Sequence, residues 1–206
     1  DTDAALGIPV ASLGTEYFVV SVQPLEDTTS EFVVIATVDT TTVTITPKAQ
    51  LSDASPANVP FSVTLNRGEG FIGRAAGKGD LTGTLITADK PVSVASGNVR
   101  AQVPFGTTAA DHLFQVAQPV SAWGKSLLVA NVPQRPGGSV YRIMVATDGT
   151  TVNQDGTPIA TLNRGEFKEI GPLAGNHLIE CSGPCYVVQF VTGVLSSGAV
   201  SGDPAM

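Results

Sequence analysis

The sequence of 206 residues predicts an all-β protein made of two tandem, homologous, sandwich-like repeats packed as one unit. Three observations support this prediction. Short runs alternate between apolar and polar side chains, which is the period of a strand with one buried face. The 22 glycines and 14 prolines separate these runs, as turns between short strands require. Finally, a series of segments occurs twice in the same order.

The clearest strand patterns lie at residues 41–47, 61–66 and 140–145. The first, "TTVTITP", alternates threonine with valine and isoleucine and ends at a proline. The other two, "FSVTLN" and "VYRIMV", alternate in the same way. Residues 27–46 contain no glycine or proline, but they are rich in β-branched residues and lack an apolar stripe at helical spacing. We therefore expect strands along the chain and no long helix.

The repeat is visible at four places. The matched segments are residues 9–22 with 119–132, 35–43 with 144–152, 65–69 with 162–166, and 85–92 with 178–185. Their order is the same in both copies, and the spacing between copies shrinks along the chain, so the second copy has shorter loops. We expect a first repeat at residues 1–110, a second at residues 111–206, and a linker at about 104–118.

The pentapeptide "LNRGE" stands at residues 65–69 and again at residues 162–166. Asparagine and glycine tolerate the positive φ of tight turns, and a strand pattern flanks each copy on both sides. We predict one hairpin turn built twice, with the structural turn residues Asn66, Gly68, Asn163 and Gly165. The alternative is a pair of glycosidase carboxylates, Glu69 and Glu166. We disfavour it because charged turn residues are usually only solvated.

The composition restricts the partners. Charged residues make up 14% of the chain and the formal charge is −7, so no basic surface is available for nucleic acid or for an anionic membrane. No apolar run approaches the roughly 18 residues of a membrane-spanning helix. We expect neither nucleic acid nor membrane insertion, and no cofactor.

Asp111 and His112 are the residues that most resemble a catalytic pair. In a hydrolase the acid must orient the imidazole, whereas neighbours on a strand point to opposite faces. No Gly-x-Ser-x-Gly motif accompanies them. We therefore expect no catalytic residue, and we assign both side chains to an inter-repeat motif that fixes the linker by hydrogen bonds.

Two sets of residues suggest metal sites, and we expect neither to bind a metal. Asp148, Asn153 and Asp155 suggest a calcium loop, but they lack the ligand spacing and closing glutamate of an EF-hand. We interpret them as turn residues. A weak zinc pattern consists of His177, Cys181 and Cys185, with His112 as the fourth ligand.

Trp123 is the only tryptophan, and the first repeat has Leu13 at the matching position. The match predicts an apolar side chain that packs in the core or between the repeats, which adds Trp123 to the inter-repeat motif. An exposed tryptophan would instead be a platform for a sugar or a protein. Arg100, Arg135 and Arg142 are a candidate rim for an acidic partner, although isolated arginines are more often solvated.

Several segments together resemble the IgG Fc-binding protein N-terminal domain family. They are "LGTEYFV", "GTLITADKPVSVASGN", "DHLFQVAQPVSAWGK", "YRIMVATDGTTV", "TLNRGE" and the final "GDPAM". The similarity runs from residue 5 to residue 206, but Gln115 and Val116 depart from the family's Glu-Gln. The resemblance implies an extracellular or cell-surface adhesion-type domain, with flanking domains in a longer protein, and we expect a bacterial member. It does not imply that this member binds Fc.

Cys181 and Cys185 are expected to form a disulfide. The repeat aligns them with Ala88 and Val92, and "SGP" between them reads as a turn, which would place the cysteines on facing strands at a hairpin mouth. Facing Cα atoms lie about 4.5–5.5 Å apart, within disulfide range. The extracellular setting implied by the resemblance would let the bond persist. Because the first repeat has no cysteine there, we expect the bond to be dispensable for folding.

The leading functional hypothesis is an extracellular, non-catalytic recognition or adhesion module for a protein or glycan ligand. The alternative is a passive structural spacer in a long surface protein. A carbohydrate-active enzyme is the weaker alternative. A contiguous exposed apolar patch would favour binding over the spacer.

Overall fold

The computed structural model describes residues 5–25, 27–194, 198 and 202–206. Their secondary structure consists of strands joined by turns, with short 3-10 helices at Val10–Ser12 and Val120–Ala122. The first seven strands are β1 Gly14–Phe18, β2 Ser30–Ala36, β3 Thr41–Thr46, β4 Phe61–Leu65, β5 Gly70–Arg74, β6 Leu85–Ala101 and β7 Asp111–Val116. The next six are β8 Gly124–Val129, β9 Ser139–Val145, β10 Thr150–Gln154, β11 Thr157–Leu162, β12 Phe167–Leu173 and β13 His177–Val191. The predicted all-β class is confirmed.

The chain divides into two compact units. The first consists of Asp1–Ala101 with His112–Ala122, and the second of Gln102–Asp111 with Trp123–Met206. Strand β7 causes this interleaving, because it follows the segment 102–110 along the chain but pairs with β6. The two structural units therefore do not meet at a single point between residues 110 and 111. The boundaries of the two sequence repeats, 1–110 and 111–206, stay a prediction.

The two sheets share one strand order. The first sheet runs β4-β3-β6-β2-β5, with β1 and β7 also paired to β6. The second runs β11-β10-β13-β9-β12, with β8 also paired to β13. Each strand of the second sheet thus has a counterpart in the first, and β7 alone among the described strands has none. The common strand order that the repeat predicts is confirmed.

Each sheet curls around a core of its own. In the first unit, inward side chains of β1, β2, β3 and β6 form one cluster, which includes Tyr17, Phe32, Ile45 and Val94. In the second, the corresponding strands contribute Tyr141, Ile143, Val152 and Ile179. The sheet of each unit curls so that strands distant from each other in the sheet face each other across one core. Each unit therefore resembles a sandwich.

The LNRGE segments are tight turns, but they are not hairpins. Strand β4 pairs with β3 and β5 pairs with β2. Ala36 at the end of β2 exchanges backbone hydrogen bonds with Gly68 and Glu69, so the first segment joins β4 and β5 along one edge of the sheet. The second segment joins β11 and β12 in the same way, through Val145. The hairpin interpretation is wrong because strand pairing here is decided across the sheet rather than by the turn.

The contacts of the two LNRGE segments are the same. Gly68 and Gly165 have φ of 81° and 76°, the left-handed region that favours glycine. Asn66 and Asn163 act through their side chains: their Oδ1 atoms accept hydrogen bonds from the backbone N–H of Thr40 (3.2 Å) and Gly149 (3.3 Å). Each turn is therefore tied to the preceding β2–β3 or β9–β10 connection.

The central strand of the second sheet contains the disulfide between Cys181 and Cys185. Both cysteines lie on β13, so the expected hairpin is wrong. Their Cα atoms are 6.4 Å apart, whereas four residues of extended chain span about 13 Å. The backbone between them therefore bulges. The register supports the predicted match, since Cys181 opposes Val152 and Cys185 opposes Val145, whereas Ala88 opposes Val43 and Val92 opposes Ala36.

Across the described ranges of the chain, no helix has the length and apolar character needed to cross a bilayer.

Candidate functional site

An open cleft of about 190 Å³ lies on the first unit. It is built on four strands that are neighbours in the order β5, β2, β6 and β7. Phe32 and Val34 of β2 point into the core, so Val33 between them points to the opposite face. The cleft therefore belongs to the outer face of the sheet.

Apolar side chains from three strands form the floor of the cleft. Val33 opposes Ile72 of β5 on one side and Ala95 of β6 on the other. Ile72 is 52% exposed, which is unusual for an isoleucine on a strand whose neighbours are packed. The sheet thus presents a continuous apolar surface across three strands at this point.

An ion pair flanks the apolar floor. Arg74 Nε lies 3.0 Å from Glu31 Oε2, and the two residues oppose each other on β5 and β2. Their side chains are 53% and 27% exposed, so the pair contributes little to stability. It does place one positive and one negative group beside the apolar floor, where each can accept or donate a bond to a ligand.

Aromatic rings of β7 form the opposite wall. The rings of His112 and Phe114 are stacked, with centroids 6.2 Å apart and an interplanar angle of 15°. Leu113 between them is buried, as the alternation of a strand requires. Gly97 of β6 permits this arrangement, because a Cβ at that position would overlap the backbone carbonyl of Leu113.

The chemistry of the cleft suits binding rather than a reaction. Ser96 is a further lining residue, but its hydroxyl donates to the Val20 carbonyl at 2.8 Å and so faces the buried side of the sheet. The cleft is also smaller than the roughly 300–1,000 Å³ of typical small-molecule sites. It can hold one or two side chains of a larger ligand.

The equivalent surface of the second unit is polar and closed. There Arg142 and Glu169 stand where the first unit has Val33 and Ile72, with Arg142 Nε 2.8 Å from Glu169 Oε2. The guanidinium also lies 4.6 Å from the ring centroid of Phe167. Since the side chain of Arg142 is only 9% exposed, the apolar cleft is specific to the first unit.

The structure places His112 in the cleft, although the sequence assigned it to the linker. Asp111 begins the same strand and is half-buried. Trp123 is 9% exposed and stacks on Tyr186, with centroids 5.5 Å apart, so it is a largely buried side chain rather than an exposed platform. The assignment of Asp111, His112 and Trp123 to one inter-repeat motif stays a prediction. Val33, Ile72 and Phe114 were missed, because each looks like an ordinary strand residue until the register is known.

The two glutamates of LNRGE serve their own turns. Glu69 Oε2 accepts from the backbone N–H of Asn66, and Glu166 Oε2 accepts from that of Asn163, both at 2.7 Å. These bonds account for both carboxylates as local turn contacts.

The candidate calcium residues also serve separate contacts. Asp148 Oδ1 accepts from the backbone N–H of Arg164 at 2.9 Å, whereas Asp155 accepts from Leu178 N–H at 2.9 Å and contacts His177. Asn153 Oδ1 is buried without a hydrogen-bond partner among the described residues. In the described segments, no group of three or more His, Cys, Asp and Glu side chains is placed to hold a metal ion.

His177 and Asp155 form a close pair. His177 Nδ1 lies 2.7 Å from Asp155 Oδ2, and His177 Nε2 lies 3.0 Å from the Ala174 carbonyl. The hydrogen bond to Asp155 raises the pKa of His177 above its usual 6.5. The hydrogen bond from His177 lowers the pKa of Asp155 below its usual 3.8. The proposed zinc set is not available as such, because Cys181 and Cys185 are joined in the disulfide rather than present as thiolates.

Two of the three candidate rim arginines are engaged within the second unit. Arg142 is buried against Glu169, and Arg135 donates from Nη1 to the Thr192 carbonyl at 3.0 Å, so both serve contacts inside the second unit. Arg100 is exposed on the first unit.

Comparison with known proteins agrees with the resemblance found in the sequence. A family model described as "IgGFc binding protein" matches residues 3–206. Human IgGFc-binding protein is 32% identical over 125 residues, which cover 59% of this chain and 2% of that protein. The chain thus spans a small part of that relative, and the expected bacterial origin stays a prediction. No solved structure matches. With nearly its whole length matched, the chain belongs to the IgGFc binding protein family.

Proposed function

We propose that this chain is an extracellular, non-catalytic module that binds a protein ligand through the cleft of its first unit. One observation carries the proposal. Ile72 is 52% exposed beside Val33, in a cleft that has an ion pair on one side and stacked rings on the other. Family membership supports binding as the general role.

The arrangement has the features of a protein-binding hot spot. Such sites combine a central apolar or aromatic group with polar groups at the rim, which exclude water when the partner is bound. Here Ile72 and Phe114 would supply the apolar contacts, and Glu31 and Arg74 would supply the rim. The small volume favours insertion of a side chain from a folded partner over enclosure of a free small molecule.

An extracellular setting is supported by the disulfide. Cys181 and Cys185 are bonded to each other, and disulfides persist mainly in oxidising compartments.

The name of the human relative makes the IgG Fc region the first ligand to test. We propose a protein ligand ahead of a glycan, because the residues that line the cleft include no tryptophan or tyrosine to serve as a platform for a sugar. The passive spacer and the carbohydrate-active enzyme remain the alternatives.

The test compares the unchanged chain with two variants, each of which replaces one exposed aliphatic side chain by threonine. Surface plasmon resonance would measure binding to IgG Fc, and a glycan array would be run in parallel. We expect Ile72→Thr to weaken binding by about tenfold or more, as loss of a central apolar contact does. Leu128→Thr is the matched control, since Leu128 is 75% exposed on β8 of the second unit. Equal loss in both variants would contradict the cleft, and absence of any ligand would favour the spacer.

A further inference from the structure

The central strands of the two sheets differ at one edge. In the first sheet, β6 is paired on one side with β2 and on the other with β1 and then β7. In the second sheet, β13 is paired on one side with β9 and on the other with β8, and no described strand takes the place of β7. Among the described residues, both central strands otherwise make the same pairings, so the second sheet has no described strand at the position that β7 takes in the first.

The register identifies the residues at this position. Ser30 opposes Asn98 in the first sheet and Ser139 opposes Val191 in the second, so Asn98 and Val191 are equivalent. By the same count, Val187 is equivalent to Val94. The Val94 carbonyl accepts a 2.8 Å hydrogen bond from the backbone N–H of Ala117, just after β7. The carbonyl of Val187 therefore points to the corresponding edge of β13.

One pair of backbone hydrogen bonds is present at this edge of β13, between Val191 and Ala205. Val191 N–H donates to the Ala205 carbonyl at 2.8 Å, and Ala205 N–H donates to the Val191 carbonyl at 3.3 Å. On an antiparallel strand, alternate residues direct both backbone groups to the same side. Gln189 and Val187 therefore present their N–H and C=O groups to the side on which Ala205 lies. At the other end of this stretch, Cys185 opposes Gly124 of β8.

We propose that the edge of β13 at Val187 and Gln189 binds one additional antiparallel strand of the β7 type, continuing the ladder that Ala205 begins. The occupant is an extended protein segment with buried side chains along one face, as at Leu113 in β7 (0% exposed) and at Ala117 just after it (4% exposed). An open edge between two paired positions is a template for such a strand. This edge shares no residue with the cleft of the first unit, so the inference is independent of the proposed ligand.

The equivalence also defines a strand that should fit. The hydrogen bond from Ala117 to Val94 and the contact of Gly97 with Leu113 and Phe114 set a register in which Leu113 lies opposite Asn98. Ala205 lies opposite Val191, the equivalent of Asn98, so Ala205 corresponds to Leu113 and Met206 to Phe114. Extension of the chain beyond Met206 by Gln-Val-Ala-Gln, the sequence of residues 115–118, would place an alanine N–H opposite the Val187 carbonyl. A control extension, Gln-Val-Pro-Gln, has no N–H at that position and cannot make this bond.

Hydrogen–deuterium exchange of the whole chain, with and without each extension, tests the proposal. We expect the amides of Val187 and Gln189 to exchange readily in the 206-residue chain and to slow by about tenfold or more in the Gln-Val-Ala-Gln form. The proline form should show less protection. Strong protection of both amides without any extension would overturn the proposal, as would an absence of added protection or equal protection by the proline form.

Discussion

The Glu69 carboxylate accepts a 2.7 Å hydrogen bond from the backbone N–H of Asn66, three residues earlier in the same turn. Glu166 and Asn163 make the same bond at the same distance. In both copies the next residue, Arg67 or Arg164, donates its backbone N–H to an aspartate of the neighbouring connection, at 3.0 and 2.9 Å. The pentapeptide is therefore a structural device that holds two connections of each sheet together.

The first prediction concerns these glutamates. Glu69→Ala and Glu166→Ala each remove an acceptor from an exposed turn, and we expect each to lower the free energy of unfolding by about 1 kcal/mol. Glu→Gln at either position keeps an acceptor oxygen and should cost less. Thermal denaturation of the four variants measures the effects. Strongly unequal losses at the two positions would show that the turns are not equivalent in energy.

The second prediction concerns the His177–Asp155 pair. Because the pKa of His177 is raised in the folded state, protonated His177 stabilises the fold. This contribution is fully present below pH 6.5 and is lost as the pH rises through the folded-state pKa. Because the pKa of Asp155 is lowered in the folded state, the ionised carboxylate of Asp155 stabilises the fold. This contribution is fully present above pH 3.8 and is lost as the pH falls through the folded-state pKa. The pair therefore contributes most between these two values.

Asp155→Asn isolates this effect. Asp155 has φ of 50° in the β10–β11 turn, and asparagine tolerates that conformation, so the turn should survive. We expect NMR titration to give a lower pKa for His177 in this variant than in the parent. His112→Gln in both backgrounds leaves one histidine signal and provides the assignment. An unchanged pKa of His177 would contradict the role of the carboxylate.

The third prediction concerns the disulfide. Cys181→Ala with Cys185→Val reproduces Ala88 and Val92 of the first unit, which occupies the same register without a bond. We expect the double variant to fold, with a loss of about 2 kcal/mol by loop-closure entropy. Circular dichroism and thermal denaturation measure this. Thiol titration of the unfolded, unreduced parent should find no free thiol, and failure of the double variant to fold would show that the bond is needed.

The fold class could be predicted because it depends on local patterns, and the repeat predicted that the two sheets share a strand order without giving that order. Alternation marks a strand wherever it occurs, and the repeat transfers the order of one sheet to the other. The hairpin interpretation of LNRGE failed because β4 and β5 find their partners elsewhere in the sheet. The disulfide between Cys181 and Cys185 was predicted correctly, but the hairpin expected around it is absent. "SGP" is a bulge within one strand rather than a turn between two.

The cleft could not be predicted from the sequence. Val33, Ile72 and Phe114 belong to three strands that are far apart along the chain, and each has an unremarkable pattern around it. Only the register places Val33 beside Ile72, and only the pairing of β7 with β6 brings the ring of Phe114 to the same surface. Nonlocal pairing is therefore the missing information in each case.

The fourth prediction compares two ion pairs. The Arg74–Glu31 pair is exposed, so we expect Arg74→Ala to change the free energy of unfolding by no more than about 1 kcal/mol. Arg142 is 9% exposed, and it contacts both Glu169 and the Phe167 ring. Its replacement by alanine removes a buried side chain and the contact with the Phe167 ring, whereas Glu169 is 49% exposed and becomes hydrated. We expect a loss of about 1–3 kcal/mol. Urea denaturation of both variants gives the comparison, and equal losses would contradict the role of burial.

The last prediction concerns Gly97. A Cβ at this position would overlap the backbone carbonyl of Leu113, so Gly97→Ala must push β7 away from β6. We expect a loss of about 1–3 kcal/mol, as for other overpacked sites. Faster exchange of the Ala117 amide should accompany it, because that N–H donates to the Val94 carbonyl. Gly124→Ala is the control: nothing lies within 4 Å of its added Cβ, and we expect a change within about 0.5 kcal/mol. If Gly97→Ala were as mild as the control, close approach of β7 would not be what requires a glycine there.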